Sequence, residues 1–439
     1  MQKKSSLIQI VNAIVLDPVC NEQYEADILI SGDKIVRIDK RWLKPSVTLP
    51  DTRIIDAGGA YIAPALWDMH VHLREPGDTH KETLASGAKA AVRGGIARML
   101  AMPNTRPPVD NVKTLTVLRK KADVLSRSVD IDFAACITRK RSGKKPVDFQ
   151  SLNKSGTFAF SDDGSPVGSQ KILKHALKET AKFSGLVIDH SEDMALSGKG
   201  VINEGDVSKR MGVPGISAGS EYKAIQRNIK TLRSLNKGKL HISHVSTAES
   251  IELIRTAKAS KLNGRLTCEV CPHHFSLIDE DIEKYGTNAK MKPPLRSKKD
   301  IEAIYGGLND GTIDAIASDH APHSQKEKKL GLLKAPFGII GMETMLPVTI
   351  TYLVKEGILN LLQAISLMTI GPARVLGMKA SEISPGEPAN LVIFDPKTEV
   401  IFKSFSSKSR NSPFLGRKLF GKVLYTIHKG HIHNFKHKV

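Results

Sequence analysis

Two histidines, His70 and His72, lie two residues apart at the end of an apolar stretch that begins at Tyr61. In a β-strand, side chains at positions i and i+2 point to the same face, so both imidazoles can reach one metal ion. Pro76 and Gly77 follow shortly afterwards and end the strand. The pair therefore stands at the C-terminal end of a strand, where α/β barrels carry their chemistry.

The end of this strand and the ends of other predicted strands carry further side chains that bind metals or anions. These ends carry Arg74, Asn104, Asp162 with Asp163, His190 with Glu192 and Asp193, His244, and Asp319 with His323. Four histidines and two aspartates on one barrel rim suit one or two divalent ions, zinc foremost. Two ions would share a hydroxide and lower its pKa toward about 7. Asp319 is suited to take the proton from that hydroxide, and Arg74 and Asn104 are suited to bind a carboxylate.

Some of the polar residues near these strand ends have a structural explanation. His241 is three residues from the candidate ligand in its strand, so it faces the opposite side and is expected to be a packing residue. His320 directly follows a candidate ligand and is expected behind the site or in the core. Asp162 and Asp163 precede a glycine and fit a turn as well as a metal site.

The segment Cys268-Glu-Val-Cys271, followed by His273 and His274, contains the side chains of a structural zinc site. A second pair of closely spaced cysteines is missing from the sequence. Residues i and i+3 of a strand also face opposite ways. The pattern therefore argues against a zinc site formed by this cysteine pair.

Length and composition describe a globular protein of more than one domain. The chain has 439 residues, of which 40% are hydrophobic and 25% charged, and its net charge is +20. The basic residues are dispersed and only 5% of residues are aromatic, which argues against nucleic-acid binding. Small anionic substrates explain the positive charge as well.

Cysteine content and hydropathy indicate the compartment. Four cysteines in this length favour a reducing environment without a disulfide framework. The apolar stretch after Lys3 and Lys4 is interrupted by Gln9 and Asn12, so it reads as a strand rather than a signal peptide. Because no apolar run is long enough to span a bilayer, we expect a cytoplasmic protein without membrane contact.

The chain begins and ends with β-rich segments on either side of alternating strands and helices. Strands are predicted near residues 7–16, 26–31, 34–39 and 53–56, and again near 389–394 and 422–428. Between them, eight strands alternate with helical stretches, as in a parallel barrel. We predict an α/β fold: a TIM-like (β/α)8 barrel over residues 61–380 and a small β-sandwich domain from residues 1–60 plus 381–439.

A series of motifs makes the sequence recognisable almost end to end. They are DMHVHLREPG (68–77), MPNTRP (102–107), FAFSDDG (158–164), HSED (190–193), SHVSTAES (243–250), PPLRS (293–297), DGTIDAIASDHAPH (310–323) and APFGIIGMET (335–344). In this combination the chain resembles the amidohydrolase superfamily and, within it, the bacterial type I dihydroorotases. The resemblance also implies the composite β domain.

The resemblance implies a role for each position. One metal would be held by His70, His72 and Asp319, a second by His190 and His244, and Asp163 would bridge them where many amidohydrolases have a carboxylated lysine. Asp319 would also be the catalytic proton carrier. The substrate would contact Arg74, Asn104, His323, the backbone around Pro336 and Gly338, and the position of Lys292.

The implied reaction is the reversible interconversion of N-carbamoyl-L-aspartate and L-dihydroorotate in pyrimidine synthesis. A zinc-dependent enzyme with one or two Zn²⁺ ions per subunit is expected. A homodimer and an association with aspartate carbamoyltransferase are both compatible with the resemblance. The alternatives are another cyclic amidase, either a hydantoinase or an allantoinase, and a non-catalytic partner of that transferase. A bridging lysine is missing at Asp163, and all six ligands are present, which argues against these alternatives.

Two positions depart from the family pattern. Lys292 replaces the usual Asn before the two prolines, and Pro64-Ala65 replaces the usual Pro-Gly ahead of the first barrel strand. The second change affects only a turn. For Lys292 two interpretations stay open: its flexible side chain faces solvent, or it assists Arg74 in holding an anionic substrate.

Overall fold

The computed structural model describes residues 7–40, 52–260 and 262–436. Lys3 and Lys4 lie outside the described residues. The strands are β1 (Leu7–Asp17), β2 (Glu22–Ser31), β3 (Lys34–Lys40), β4 (Thr52–Asp56), β5 (Tyr61–Pro64), β6 (Leu66–Val71), β7 (Ile96–Ala101), β8 (Asp130–Phe133), β9 (Ala159–Phe160), β10 (Leu186–Asp189), β11 (Ile202–Asn203), β12 (Gly215–Ile216), β13 (Lys239–Ile242), β14 (Leu266–Val270), β15 (Ala315–Ile316), β16 (Leu391–Ile401), β17 (Lys418–His428) and β18 (His431–Asn434).

The helices lie mainly between the barrel strands. They are α1 (Leu84–Arg93), α2 (Val112–Asp123), α3 (Phe149–Lys154), α4 (Gln170–Ala181), α5 (Met194–Ser197), α6 (Asp206–Arg210), α7 (Gly219–Arg233), α8 (Ala248–Lys258), α9 (Pro272–Ser276), α10 (Asp281–Tyr285), α11 (Lys298–Asn309), α12 (Gln325–Lys328), α13 (Gly331–Lys334), α14 (Met345–Thr349), α15 (Leu361–Ser366) and α16 (Ile370–Leu376). Two 3₁₀ turns (Arg139–Arg141, Gly286–Ala289) and one π-helical turn (Ile350–Val354) complete them. Within the described ranges, none of the helices has the length and apolar character to cross a membrane.

Eight short strands form the predicted barrel. β6, β7 and β8 make one parallel run, and β9, β10, β13, β14 and β15 make another. The two runs are joined by a bridge between Ala135 and Phe160 and by one between Val71 and His320. β6 and β10 are buried along their whole length, as expected for parallel strands with helices on one face and a packed interior on the other. The barrel prediction is confirmed.

Several barrel strands are shorter than the sequence predicted. The apolar stretches at 157–161 and 312–318 are reduced to the two-residue strands β9 and β15. The chain still follows its neighbours, because Ser161 N donates to Ala135 O at 2.8 Å and Ala317 N to Val270 O at 3.1 Å. The ladder becomes irregular toward the rim, where the polar side chains turn into the site.

Strands from both β-rich ends form one sheet, in the order β18-β17-β16-β5-β1-β2-β3, with β4 beside β1. The two ends meet where β5 pairs antiparallel with β16, with Pro64 opposite Leu391. β5 belongs to this sheet although the predicted barrel range begins at residue 61. We therefore keep the division into 1–60 plus 381–439 and 61–380 as a proposal, with β5 as the strand that joins the two parts.

The connection between β16 and β17, residues 402–417, leaves the sheet and packs against the barrel. Ser406 N and Ser407 N donate to Glu343 Oε1 at 2.7 and 3.2 Å, and Ser407 Oγ donates to Glu82. Because buried carboxylates need donors, these contacts fix the connection close to the barrel rim.

A second contact between sheet and barrel lies at the start of β8. Lys429 Nζ is 2.6 Å from Asp130 Oδ1, and His428 Nε2 is 3.5 Å from the same oxygen. Burial of Asp130 favours its neutral form, but His428 and Lys429 lower its pKa to about 2. The ion pair between Lys429 and Asp130 therefore ties the end of β17 to the barrel at neutral pH.

Candidate active site

Asp163 lies at the centre of the four histidines that the sequence singled out. Its Oδ1 is 3.5 Å from His70 Nε2, 3.5 Å from His190 Nδ1 and 3.7 Å from His244 Nε2. Its Oδ2 is 3.5 Å from His72 Nε2. One carboxylate thus faces a ring nitrogen of every histidine, the arrangement that a bridging ligand requires.

The six candidate ligands stand at the C-terminal ends of barrel strands. His70 is in β6 and His72 follows it, and the other four come after their strands: Asp163 after β9, His190 after β10, His244 after β13 and Asp319 after β15. His244 and Asp319 have positive φ angles of 38° and 43°. Such a backbone is disfavoured for residues with a Cβ and recurs at functional sites, where the surrounding structure holds it.

Asp319 forms a second group of candidate ligands together with His70 and His72. Its Oδ1 lies 2.9 Å from His72 Nε2 and 3.6 Å from His70 Nε2. Two overlapping sets of buried ligand atoms result, one of His70, His72 and Asp319 and one of His70, Asp163 and His244. The ligand atoms of each set lie within 4.8 Å of one another.

The buried polar atoms at the centre of the cluster fit a bound cation. Among the described residues, His70 Nε2 and Asp163 Oδ1 are buried without a hydrogen-bond partner. Leaving buried polar atoms unpaired costs free energy, and native proteins rarely do so without a reason. Imidazole and carboxylate donors are those that borderline divalent metals prefer. The residues present therefore fit a divalent metal.

Each of three histidines is held from behind through its second ring nitrogen. His70 Nδ1 is 2.7 Å from Glu269 Oε1, and His72 Nδ1 is 2.8 Å from Asn104 Oδ1. His190 Nε2 is 3.3 Å from Glu192 Oε2. A hydrogen bond at one nitrogen fixes the tautomer and turns the lone pair of the other toward the metal, as at many metal sites.

The electrostatics of the cluster also suit a cation. Burial disfavours a charged His190, but Asp163 and Glu192 raise its pKa to about 9. Burial opposes ionisation of Glu269, but His70 and His241 lower its pKa to about 2. The carboxylates thus favour positive charge on His70 and His190, and a bound metal would supply that charge in place of the protons.

The two neighbouring aspartates of the SDDG motif have different surroundings. Asp162 Oδ1 accepts hydrogen bonds from Ile137 N at 2.9 Å and Thr138 N at 3.1 Å, so it fixes a loop. Asp163 alone points into the histidine cluster, and Arg141 donates to its backbone carbonyl. The turn interpretation thus fits Asp162 but not Asp163.

The residues that the resemblance assigns to the substrate lie around the same rim. Arg74 Nε donates to Pro322 O at 3.1 Å, and its Nη2 is 3.3 Å from His323 Nε2. Burial lowers the pKa of Arg74 to about 10, so its guanidinium stays charged. Burial and the nearby Arg74 also lower the pKa of His323, which keeps that ring neutral. Asn104 Nδ2 reaches toward Asp163 Oδ2 at 3.4 Å.

Buried amino and amide groups hold the backbone of the loop around Pro336 and Gly338. Lys328 Nζ donates to Pro336 O and Gly338 O, both at 3.0 Å. Asn411, from the β16–β17 connection, donates to Ala321 O and Gly338 O at 2.9 Å. Its Oδ1 accepts from His323 N at 3.0 Å. The two loop segments that the resemblance assigns to the ring are thus fixed to each other.

Lys292 does not face solvent. Its Nζ lies 2.6 Å from Glu192 Oε1, and 22% of its side chain is exposed. The interpretation that Lys292 simply faces solvent is therefore wrong. Its ammonium is paired with Glu192, which is buried next to His190. The second interpretation, in which Lys292 assists Arg74 in holding an anionic substrate, is not tested by this contact.

Two further histidines near the ligands are buried outside the cluster. His241 Nε2 is 3.2 Å from Glu269 Oε2, so His241 shares one carboxylate with His70. His320 Nε2 is 3.2 Å from Glu82 Oε2. His241 is therefore a buried residue that is connected to His70 through Glu269. The expectation that it faces away from the candidate ligand did not predict this connection.

The sequence reasoning gave no role to the residues that orient the candidate ligands. Glu269 is the one charged residue of the barrel-forming strand β14, which is a usable signal of a buried partner. Glu192 follows His190 by two residues, and this spacing by itself does not reveal that it supports the histidine. Asn411 carries no such signal, because it lies in the predicted β domain, far in sequence from the barrel residues that it contacts.

Comparison with known proteins identifies the same family as the sequence motifs. A family model described as Dihydro-orotase-like matches residues 59–250. The chain is 41% identical over 427 residues to the dihydroorotase of Elusimicrobium minutum, and the aligned region covers 96% of each of the two chains. It is 42% identical over 424 residues to that of Lactococcus lactis, covering 96% of this chain and 98% of the relative.

Solved structures share the fold. A dihydropyrimidinase from Brevibacillus agri superposes with a TM-score of 0.83 at 22% identity, covering 97% of this chain and 94% of the other. An L-hydantoinase from Arthrobacter aurescens gives 0.82 at 24%, covering 98% and 96%. At this identity the likeness concerns the barrel and its β-sandwich alone. Taken with the full-length relatives, these findings show that the chain belongs to the dihydroorotase family of the amidohydrolase superfamily.

Proposed function

We propose that the protein is a zinc-dependent dihydroorotase that interconverts N-carbamoyl-L-aspartate and L-dihydroorotate in de novo pyrimidine synthesis. The observation that carries the proposal is the position of Asp163 among four histidine nitrogens, with Asp319 beside it. His70, His72, His190, His244, Asp163 and Asp319 would hold one or two Zn²⁺ ions. When bound, zinc supplies Lewis acidity, which polarises the amide carbonyl and makes water nucleophilic near neutral pH.

The protein's own residues bind and orient the substrate and move the proton. Arg74 and Asn104 would pair with the substrate carboxylate, and His323 and the backbone of Pro336 and Gly338 would hold the ring. In hydrolysis, water adds to the ring amide carbonyl and the carbon–nitrogen bond breaks. Asp319 would accept the proton of the water and return it to the departing nitrogen. Cyclisation is the same path in reverse.

An assay with alternative substrates tests the proposal. Purified protein with measured zinc content should consume dihydroorotate, followed in the ultraviolet, and should form it from carbamoyl aspartate. Hydantoin and allantoin serve as matched controls and should react far more slowly. Turnover of either control in preference to dihydroorotate would make the protein another cyclic amidase. A zinc-loaded protein without activity in either direction would support a non-catalytic partner.

Cellular context belongs to the same proposal. The described cysteines form no disulfide, which suits the reducing cytoplasm where this substrate would be made. A homodimer and an association with aspartate carbamoyltransferase are proposed on the resemblance alone. Analytical ultracentrifugation of the protein with and without that transferase would test both.

A further inference from the structure

A third group of metal-binding side chains lies at the end of β14, outside the cluster around Asp163. It consists of Cys271, His273 and His274, and their candidate ligand atoms lie within 4.8 Å of one another. All three residues are at most 2% exposed. No residue of this Cys-His-His cluster belongs to the sets described above.

The turn from strand to helix brings the three side chains together. Cys271 has an extended backbone and precedes Pro272, the first residue of α9. Its thiol makes no capping hydrogen bond to the helix, so it is not used to stabilise the helix start. Cys268 lies apart, with its Sγ 3.3 Å from Thr312 O. The two cysteines thus face different surroundings, as expected for residues i and i+3 of a strand. Cys271 lies close to both histidines instead.

Both histidines present ring nitrogens that have no partner. His274 Nε2 donates to Pro293 O at 3.0 Å. A neutral imidazole that donates from one nitrogen carries a lone pair on the other, here Nδ1. Within the part of the chain that the structure describes, His274 Nδ1 and His273 Nε2 are buried without a hydrogen-bond partner. These unpaired nitrogens belong to two histidines that each bring a candidate ligand atom within 4.8 Å of the Cys271 thiol, and a cation would satisfy such a group.

We propose that Cys271, His273 and His274 bind a thiophilic divalent metal ion of the zinc class at a site separate from the catalytic one. A thiolate with two imidazoles selects zinc-like ions over Mg²⁺ and Ca²⁺. Binding releases the thiol proton to solvent and leaves the fourth tetrahedral position open for water or another ligand. The ion would tie the end of β14 to the first turn of α9.

Cobalt substitution tests the proposal, because it reports sulfur ligation directly. The six candidate ligands of the catalytic site, Asp163 included, are nitrogen and oxygen donors, so cobalt there gives only weak visible bands. Cobalt at the Cys-His-His cluster should add an intense sulfur-to-cobalt charge-transfer band in the near ultraviolet. We expect the band to saturate with cobalt bound beyond the amount that the catalytic site takes up. Cobalt-loaded protein without this band would overturn the proposal.

Variants identify the sulfur. The band should be lost in Cys271→Ser and retained in Cys268→Ser, whose thiol is equally buried. A variant with Cys20, Cys136 and Cys268 all changed to serine leaves Cys271 as the only thiol and should keep the band. This variant decides the matter even if Cys271→Ser fails to fold. Loss of the band in the triple variant, or its persistence in Cys271→Ser, would assign the sulfur elsewhere and refute the site.

Discussion

The ammonium of Lys292 lies 2.6 Å from Oε1 of Glu192, so a cation stands behind the carboxylate that bonds to His190. Burial opposes ionisation of Glu192, but His190 and Lys292 lower its pKa to about 2. The lysine thus compensates a charge inside the protein. The resemblance implies an Asn at this position, and a neutral amide would not compensate that charge.

We predict that Lys292→Asn affects stability rather than substrate preference. Removing the partner of a buried carboxylate should lower the free energy of unfolding by about 1.5–3 kcal/mol, measured by urea denaturation. The ratio of the KM values for carbamoyl aspartate and dihydroorotate should stay unchanged at low and high salt. Lys299→Asn, at an exposed position of the next helix, is the control. A selective rise in KM for carbamoyl aspartate at low salt would instead show that Lys292 binds substrate.

Metal removal should abolish activity, and zinc should restore it. His70→Ala should eliminate high-affinity zinc binding, because His70 Nε2 faces Asp163. His241→Ala should weaken zinc binding by about 10–100-fold at most, since it acts only through Glu269. Competition with a chromophoric chelator measures both affinities. Unchanged activity in demonstrably metal-free protein, or equal losses in the two variants, would contradict the assignment.

Asp319→Asn should reduce turnover in both directions by the same factor. A group that carries the proton in the shared transition state is needed for hydrolysis and for cyclisation. A loss of roughly 10²–10⁴-fold is expected for an acid–base group. Initial rates in both directions provide the measurement, with zinc content determined on each sample. Because the overall equilibrium constant fixes the ratio of the two kcat/KM values in every variant, the size of the loss is the test, and near-normal turnover at full zinc content would contradict the role of Asp319.

Asn411→Ala should raise KM without removing the metal. The variant loses hydrogen bonds to Ala321 O, Gly338 O and His323 N, and these segments are predicted to contact the ring. None of the three groups touches the histidine cluster, so zinc content should stay unchanged. Asn434→Ala, at the exposed last position of β18, is the matched control. A variant with reduced zinc affinity and normal KM would show that Asn411 supports the metal site instead.

Asp130→Asn should cost stability at neutral pH and little in strong acid. The folded pKa of about 2 lies below the ordinary value of 3.8, so the ionised form is stabilised by folding. This contribution is present above about pH 4 and is lost as the pH falls through 2. It amounts to about 2 kcal/mol at pH 7. Urea titrations of both proteins across this range should converge at low pH, and a constant difference would exclude the ion pair as the cause.

The candidate metal ligands could be predicted from the sequence because their positions depend on local strand geometry. The two-residue spacing of His70 and His72 and the ends of predicted strands are set by strand geometry and turn-forming residues. The charge of Glu269 in a barrel strand signals a buried partner, but His70 could not be identified as that partner, because the bond joins residues 199 positions apart and depends on barrel closure. The pairing of Lys292 with Glu192 likewise depends on neighbouring strand ends, which no local pattern records.

Pairing between β5 and β16 has a consequence for synthesis on the ribosome. Pro64 emerges long before its partner Leu391, with about 330 residues between them. At roughly 5–20 residues per second, the edge of β5 waits about 15–65 s for its neighbour. An unpaired strand edge accepts any chain that offers a matching strand. Nascent copies translated from one messenger present the same edge side by side, so pairing between copies competes with completion of the sheet until β16 arrives.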